Sequence, residues 1–160
     1  MIIDEIKAQS KTKAITVLFD MDGTLTEYGI GEKPDIVANK PLFYYNKRPI
    51  KSTISIAKKL SQMKNVTVGI LSNCYYREQR EDKLRWLEKH LPFISKENIH
   101  IIVYSEETFE KEQKNYLKVN YIKTHLVNQK IYLIEDNHKI INATNEIIPN
   151  TAYHISTLLK

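Results

Sequence analysis

Thr16-Val17-Leu18-Phe19-Asp20-Met21-Asp22-Gly23-Thr24-Leu25-Thr26 is the stretch whose reading decides the fold. Apolar and β-branched residues run straight into two aspartates, a glycine and a threonine. A near-continuous apolar run of this kind suits a central parallel strand covered on both faces. Where the strand stops, Asp20 and Asp22 stand at its carboxyl edge, the edge at which open α/β sheets bind ligands. Residues at i and i+2 of a strand share a face. The two carboxylates can therefore converge on one point once Gly23 lets the backbone turn. Carboxylates that close repel each other and need a shared proton or a cation. Magnesium suits them, because it prefers oxygen ligands and completes its shell with water and substrate phosphate. Simple turn chemistry and a calcium loop are the rival readings. The bidentate glutamate of an EF-hand has no counterpart at the right offset, and a buried strand in front is wrong for that loop.

The rest of the composition bounds the answer. A chain of 160 residues suits a single domain. Apolar residues at 42% and charged residues at 27% are ordinary globular values, which argues against wholesale disorder. The formal net charge of +5 favours an anionic ligand, although lysines spread along the whole chain read equally as a solvated basic surface. Cys74 is the one cysteine, so there is no internal disulfide, and a reducing compartment fits. The N-terminus carries Asp4, Glu5 and Lys7 and no long apolar run, so neither a signal peptide nor a membrane span is expected. The expectation is a soluble cytoplasmic protein with no membrane contact. The oligomeric state is open.

Strands and helices alternate along the chain. Strands are expected at residues 14–19, 66–71, 99–104, 130–134 and 151–155. Helices are expected at 50–64, 80–90, 119–126 and 140–146, with a short amphipathic lead-in over 1–13. Leu84, Leu87 and Leu91 mark the apolar face of the second helix. Residues 105–115 read as a loop or exposed turn. This pattern means a parallel sheet with right-handed crossovers, a doubly wound α/β fold. Residues 27–49 differ: Gly29, Gly31, Pro34, Pro41 and Pro49 argue against a regular helix there. They form a loop-rich insertion that would lie over the carboxylates as a lid or small cap.

A second strand end repeats the logic of the first. Ile131-Tyr132-Leu133-Ile134 runs into Glu135-Asp136-Asn137. Its plain alternative is an N-cap for the following helix. Ser72-Asn73 closes the strand at 66–71, and alone it reads as a turn or cap.

These four stretches, in order, resemble the motifs of the haloacid dehalogenase (HAD) superfamily, most of whose members are magnesium-dependent phosphatases. The resemblance spans about residues 14–143. It implies that Asp20 attacks phosphorus and that Asp22 protonates the leaving oxygen and then activates water. It implies that Ser72 donates to a phosphoryl oxygen, and that Asp20, Asp22 and Asp136 hold Mg2+. The acid at position 22 separates the chain from haloacid dehalogenases, which lack it, and from ion-pumping ATPases, which carry threonine there. A lysine should complete the site: Lys111, Lys114, Lys118 and Lys123 are available, Lys118 is best placed, and Lys114 is next. Glu135 replaces the Asp or Gly common before Asp136 and could orient a metal-bound water. Ile140 stands where many members have a further aspartate, leaving Asn137 or Asn142 as outer partners.

The segment after Ser72, with Lys83 and Trp86 in one helix, is distantly similar to the 5′(3′)-deoxyribonucleotidases. By position, Gly23, Thr24, Asn73, Tyr44, Tyr45 and Arg77 are the candidate substrate contacts. Tyr28, Phe43, Tyr75 and Tyr76 are further aromatics that could stack on a base or simply anchor the insertion. Trp86 reads as packing, and Cys74 and the histidines form no ligand set. The expected function is hydrolysis of a small phosphomonoester, with a nucleoside monophosphate preferred. A nucleic-acid end (3′) phosphatase and an inactive binding protein on the same fold are the alternatives. Nucleic acid would be a partner only as an end-phosphate substrate.

Overall fold

The protein is described by a computed structural model, which covers residues 1–28 and 43–159. Five strands, β1 (Ile15–Phe19), β2 (Val66–Cys74), β3 (Ile99–Val103), β4 (Lys130–Glu135) and β5 (Ala152–His154), form one sheet. Their spatial order is β3-β2-β1-β4-β5, and every neighbouring pair is parallel. The helices among the described residues are α1 (Ile2–Gln9), α2 (Lys51–Ser61), α3 (Arg77–His90), α4 (Leu117–His125) and α5 (His138–Ile147). None is long and apolar enough to cross a membrane. The expected doubly wound α/β sheet is the observed one.

The two-residue period of the strands divides the core into two layers. Val17 and Phe19 of β1, with Tyr132 and Ile134 of β4, pack against Ile2 and Ile6 of α1, Leu60 of α2 and Trp86 of α3. Leu18, Leu71 and Leu133 face the other way, against Ile122 of α4 and Ile141 of α5. Burying each such aliphatic side chain contributes roughly 1.5–3 kcal/mol. This is why the central strands carry apolar residues on both faces.

Two boundaries differ from expectation. β2 runs on through Ser72, Asn73 and Cys74, because β3 supplies ladder partners there: Ser72 pairs with Ile101, Asn73 with Ile102 and Cys74 with Val103. α3 begins at Arg77 rather than residue 80. The side-chain oxygen of Gln79 reaches back to accept from the backbone N–H groups of Tyr75 and Tyr76, at 2.7 and 3.3 Å, and starts the helix early. Within 105–115, the expected loop holds the ends of two short 3-10 turns.

Asn65, Asn128 and Asn150 take φ of 62°, 64° and 55°, one or two residues ahead of β2, β4 and β5. Asparagine tolerates this left-handed geometry better than most residues. The insertion expected at 27–49 falls largely on residues 29–42, outside the described residues. Its return limb is tied beside the tip of β1, where Ile50 N–H donates to Leu25 O at 2.7 Å and Glu27 N–H to Arg48 O at 3.0 Å. The chain moves from β1 out to β2 and β3, then returns to the far side of β1 for β4 and β5. Strand order therefore reverses between β1 and β4, which is where open α/β sheets bind ligands.

Candidate active site

β1 and β4 deliver their acids side by side. Phe19 is in register with Ile134, and Asp20 N–H donates to Ile134 O at 2.9 Å. Asp20, Glu135 and Asp136 each offer a carboxylate oxygen, all within 4.8 Å of one another. Asp20 is 6% exposed and Glu135 1%. Lys118, in the first turn of α4 and equally buried, donates to Asp20 Oδ1 and to Glu135 Oε2, each at 2.6 Å. The other oxygen of Glu135 accepts from the N–H groups of Asp136 and Asn137, both at 3.1 Å.

One ammonium among three carboxylates leaves this cluster short of positive charge. Burial, and then the neighbouring charge of Glu135, push the Asp20 carboxyl up to about 6 against the pull of Lys118. Burial also raises Glu135, again against Lys118. For Lys118 itself, burial would lower the pKa, but Asp20 and Glu135 outweigh it, so the ammonium stays charged. Hard oxygen donors with unmet positive charge fit a divalent cation such as Mg2+.

The carboxylate of Asp22 lies in a different environment. It accepts from Lys83 Nζ at 2.7 Å, from Lys47 Nζ at 2.6 Å and from Tyr44 OH at 3.0 Å. Burial alone would raise this carboxyl, and the two ammonium groups overcome it and hold it below the usual carboxylate range. The sequence placed the Asp22 side chain among the metal ligands with Asp20 and Asp136. Here Glu135, rather than Asp22, completes the clustered carboxylates, because two lysines and a tyrosine hold Asp22 away.

The turn after β1 is built for close approach. Gly23 has φ of 75°, and a Cβ there would overlap the Asp136 carboxylate and the Tyr28 ring. Tyr28 OH donates to Asp136 Oδ2 at 2.7 Å. The carbonyl of Met21 collects the N–H groups of Thr24, Leu25 and Thr26. Thr24 is fully buried, and its hydroxyl has no partner among the described residues. At the end of β2, Ser72 is fully buried, with its hydroxyl 2.9 Å from Lys83 Nζ. Asn73 gives its carbonyl to Lys83 at 2.7 Å and its amide N–H to Tyr104 OH at 2.8 Å.

Sequence reasoning gave no role to Lys83 and did not consider Lys47. The buried face of α3 is Gln79, Asp82, Lys83, Trp86 and Leu87, while Leu84, expected on that face, is only half-buried. Polar residues at helical spacing on the inner stripe were the available signal. Lys47 comes from the insertion's return limb, where no periodicity exists to read. Trp86 is packed as expected, and its indole N–H also donates to Lys47 O at 2.9 Å.

The other sequence candidates divide. Tyr44, Asn73, Lys114 and Lys118 line a cavity of about 450 Å3 that also contains Asp20, Asp22, Glu135 and Asp136. Two candidate substrate contacts lie elsewhere. Tyr45 packs beneath Lys89, whose ammonium is 4.9 Å from the ring, beside a separate groove with Arg85 and Glu88. Arg77 forms an exposed ion pair with Glu106 at 2.6 Å, because the early start of α3 carries it to the outer edge. His138 stacks face to face on His154, with ring centres 4.7 Å apart.

A parallel sheet in this order, flanked by helices on both faces, is the haloacid dehalogenase fold. No family model matches the chain, and no curated protein matches it in sequence. Among solved structures it is similar to a chain of the Pnkp1/Rnl/Hen1 RNA repair complex, with TM-scores of 0.68 and 0.69 in two structures, 14% identity and 89% of this chain covered. It spans less than half of those chains, 46% and 42% of their length. It is also similar to a class C acid phosphatase from Bacillus anthracis with tungstate bound (TM-score 0.54, 18% identity, covering 95% of this chain and 73% of that one). A haloacid dehalogenase-like hydrolase from Burkholderia xenovorans LB400 matches with TM-score 0.54 and 13% identity, covering 89% of this chain and 81% of that one.

Proposed function

We propose that this protein is a magnesium-dependent phosphomonoesterase that works through an aspartyl-phosphate on Asp20. The observation that carries the reading is the division of labour between two aspartates one residue apart. Asp20 sits in a cluster that needs a cation, and Asp22 sits among donors that a phosphate can also engage. Asp20, Glu135 and Asp136 would hold Mg2+, which supplies positive charge against the phosphoryl oxygens. Lys118 orients Asp20 and offsets its charge. The Asp20 oxygen forms a bond to phosphorus as the bond to the leaving oxygen breaks, and Asp22 gives that oxygen a proton. Water then attacks the aspartyl-phosphate, Asp22 takes its proton, and phosphate leaves. Ser72 and Lys83 offer donors to the equatorial oxygens. As Lys83 and Lys47 turn to the phosphate, their hold on Asp22 weakens and its carboxyl can carry the proton.

Small phosphomonoesters, nucleoside monophosphates first among them, fit a cavity of about 450 Å3. A nucleic-acid end phosphatase is the second reading, supported by the higher TM-scores of the RNA repair neighbours. A generic aryl-phosphate assay with and without magnesium, alongside Asp20→Asn, tests the activity. Magnesium-dependent phosphate release that disappears in the variant is expected, and a parent protein with none overturns the proposal. Release from nucleotides against release from 3′-phosphorylated oligonucleotides separates the two substrates.

A further inference from the structure

The cavity has a wall that the proposed chemistry does not use. Tyr75, Tyr104 and Lys114 line it together. The Lys114 ammonium lies 4.9 Å from the centre of the Tyr75 ring and 4.7 Å from that of Tyr104, and it donates to Tyr75 OH at 3.2 Å. The two rings meet edge to face at 5.3 Å. This wall is braced: Ser105 N–H donates to Tyr75 O at 3.1 Å, Arg77 pairs with Glu106, and Asn73 donates to Tyr104 OH.

Charge distinguishes Lys114 from the lysines held against the acids of the site. Lys47, Lys83 and Lys118 each pair with a carboxylate within 2.7 Å. Lys114 has no acidic partner among the described residues. Ring faces attract an ammonium without neutralising it. A half-buried cation fixed on two rings, with hydrogen-bonding capacity left over, is prepared for an anion that arrives with a ligand. An unmet polar group lines the same cavity: Asn73 Oδ1 is buried with no partner among the described residues, while the Asn73 amide N–H donates to the Tyr104 hydroxyl.

We propose that Tyr75, Tyr104 and Lys114 form a leaving-group subsite that selects phosphomonoesters whose alcohol carries a second anionic group. This rests on the phosphomonoesterase reading of the same cavity. The scissile phosphate lies against Asp20, the rest of the molecule passes Asn73 and Tyr104, and its second anion meets Lys114. Phosphate and carboxylate share this chemistry, and matched pairs of compounds distinguish them. Adenosine 3′-monophosphate against adenosine 3′,5′-bisphosphate adds a phosphate. Glycerol 2-phosphate against glycerate 2-phosphate adds a carboxylate.

Binding is measured by calorimetry on Asp20→Asn protein, and kcat/KM on the parent with magnesium. In at least one pair the doubly anionic member is preferred by about tenfold, the ratio that corresponds to about 1.4 kcal/mol. Lys114→Met brings that ratio close to one, and Lys114→Arg restores most of it. Lys111→Met removes the same charge from the same segment outside the cavity wall and keeps the parent ratio. Equal binding within both pairs overturns the subsite, as does a Lys114→Met protein that keeps the preference. If the binding preference is present and no compound is hydrolysed, the subsite stands and the phosphomonoesterase reading fails.

Discussion

A lysine on the inner face of a helix loses its hydration, and Lys83 replaces that hydration with three acceptors. The Asp22 carboxylate, the Ser72 hydroxyl and the Asn73 carbonyl all lie within 2.9 Å of its Nζ. The same atom ties the β2 serine to the β1 acid, so it fixes two parts of the site relative to each other. Lys83→Met keeps most of the packed volume and removes this tie. Its kcat on an aryl phosphate should fall by about a hundredfold, the usual effect of deleting one preorganised donor. The far-UV circular dichroism should stay that of the parent; a variant as active as the parent would mean that Lys83 is only structural. Asp20, Asp22 and Asp136 were legible as candidates in the sequence because each follows an apolar strand, and Ser72 because it closes the apolar run within β2; strand ends gather at one edge. Lys83 was not, because a lysine among Glu81, Asp82 and Arg85 looks like a solvated face. Its burial follows from the phase of α3, which turns positions 79, 82, 83, 86 and 87 inward.

At the scale of elements, types were easier to read than ends. The apolar strands have only one arrangement that covers both faces, and the alternation with helices allows few topologies. The ends depend on partners. β2 gains three residues because β3 reaches further than β1, and α3 gains a turn because Gln79 caps it. The entries to β2, β4 and β5 share another device, an asparagine in the left-handed region. A side chain with Cβ branching or no local hydrogen bond is less comfortable there. Asn128→Ala should lower stability by about 1 kcal/mol, and Asn128→Gly should leave it near the parent value. Thermal or denaturant unfolding of the two variants checks this, and equal losses in both would show that the backbone angle is not the cause. The insertion was the least legible element, since proline and glycine say where helices are absent and little about what replaces them.

For the molecule as a whole, the reversal of strand order gathers residues far apart in sequence. Positions 20, 118 and 135 line one cavity, and positions 72 and 83 are tied to it from behind through Asp22; together they come from three strands and two helices. No single segment holds the site, so its integrity depends on the sheet being complete. One buried side chain lies beneath this meeting point. Trp86 is the one tryptophan of the chain, it is fully shielded from solvent, and its indole N–H is bonded to the carbonyl of Lys47, whose ammonium holds Asp22. On the proposed function, a phosphate that draws Lys47 away from Asp22 is expected to disturb the segment whose carbonyl Trp86 holds, which would make the indole an optical gauge of binding. Titration with inorganic phosphate and magnesium should change the tryptophan emission in step with binding measured by calorimetry, and a constant emission through saturation would uncouple Lys47 from the ligand. Without any label, the colour and intensity of one indole would report when the cavity fills.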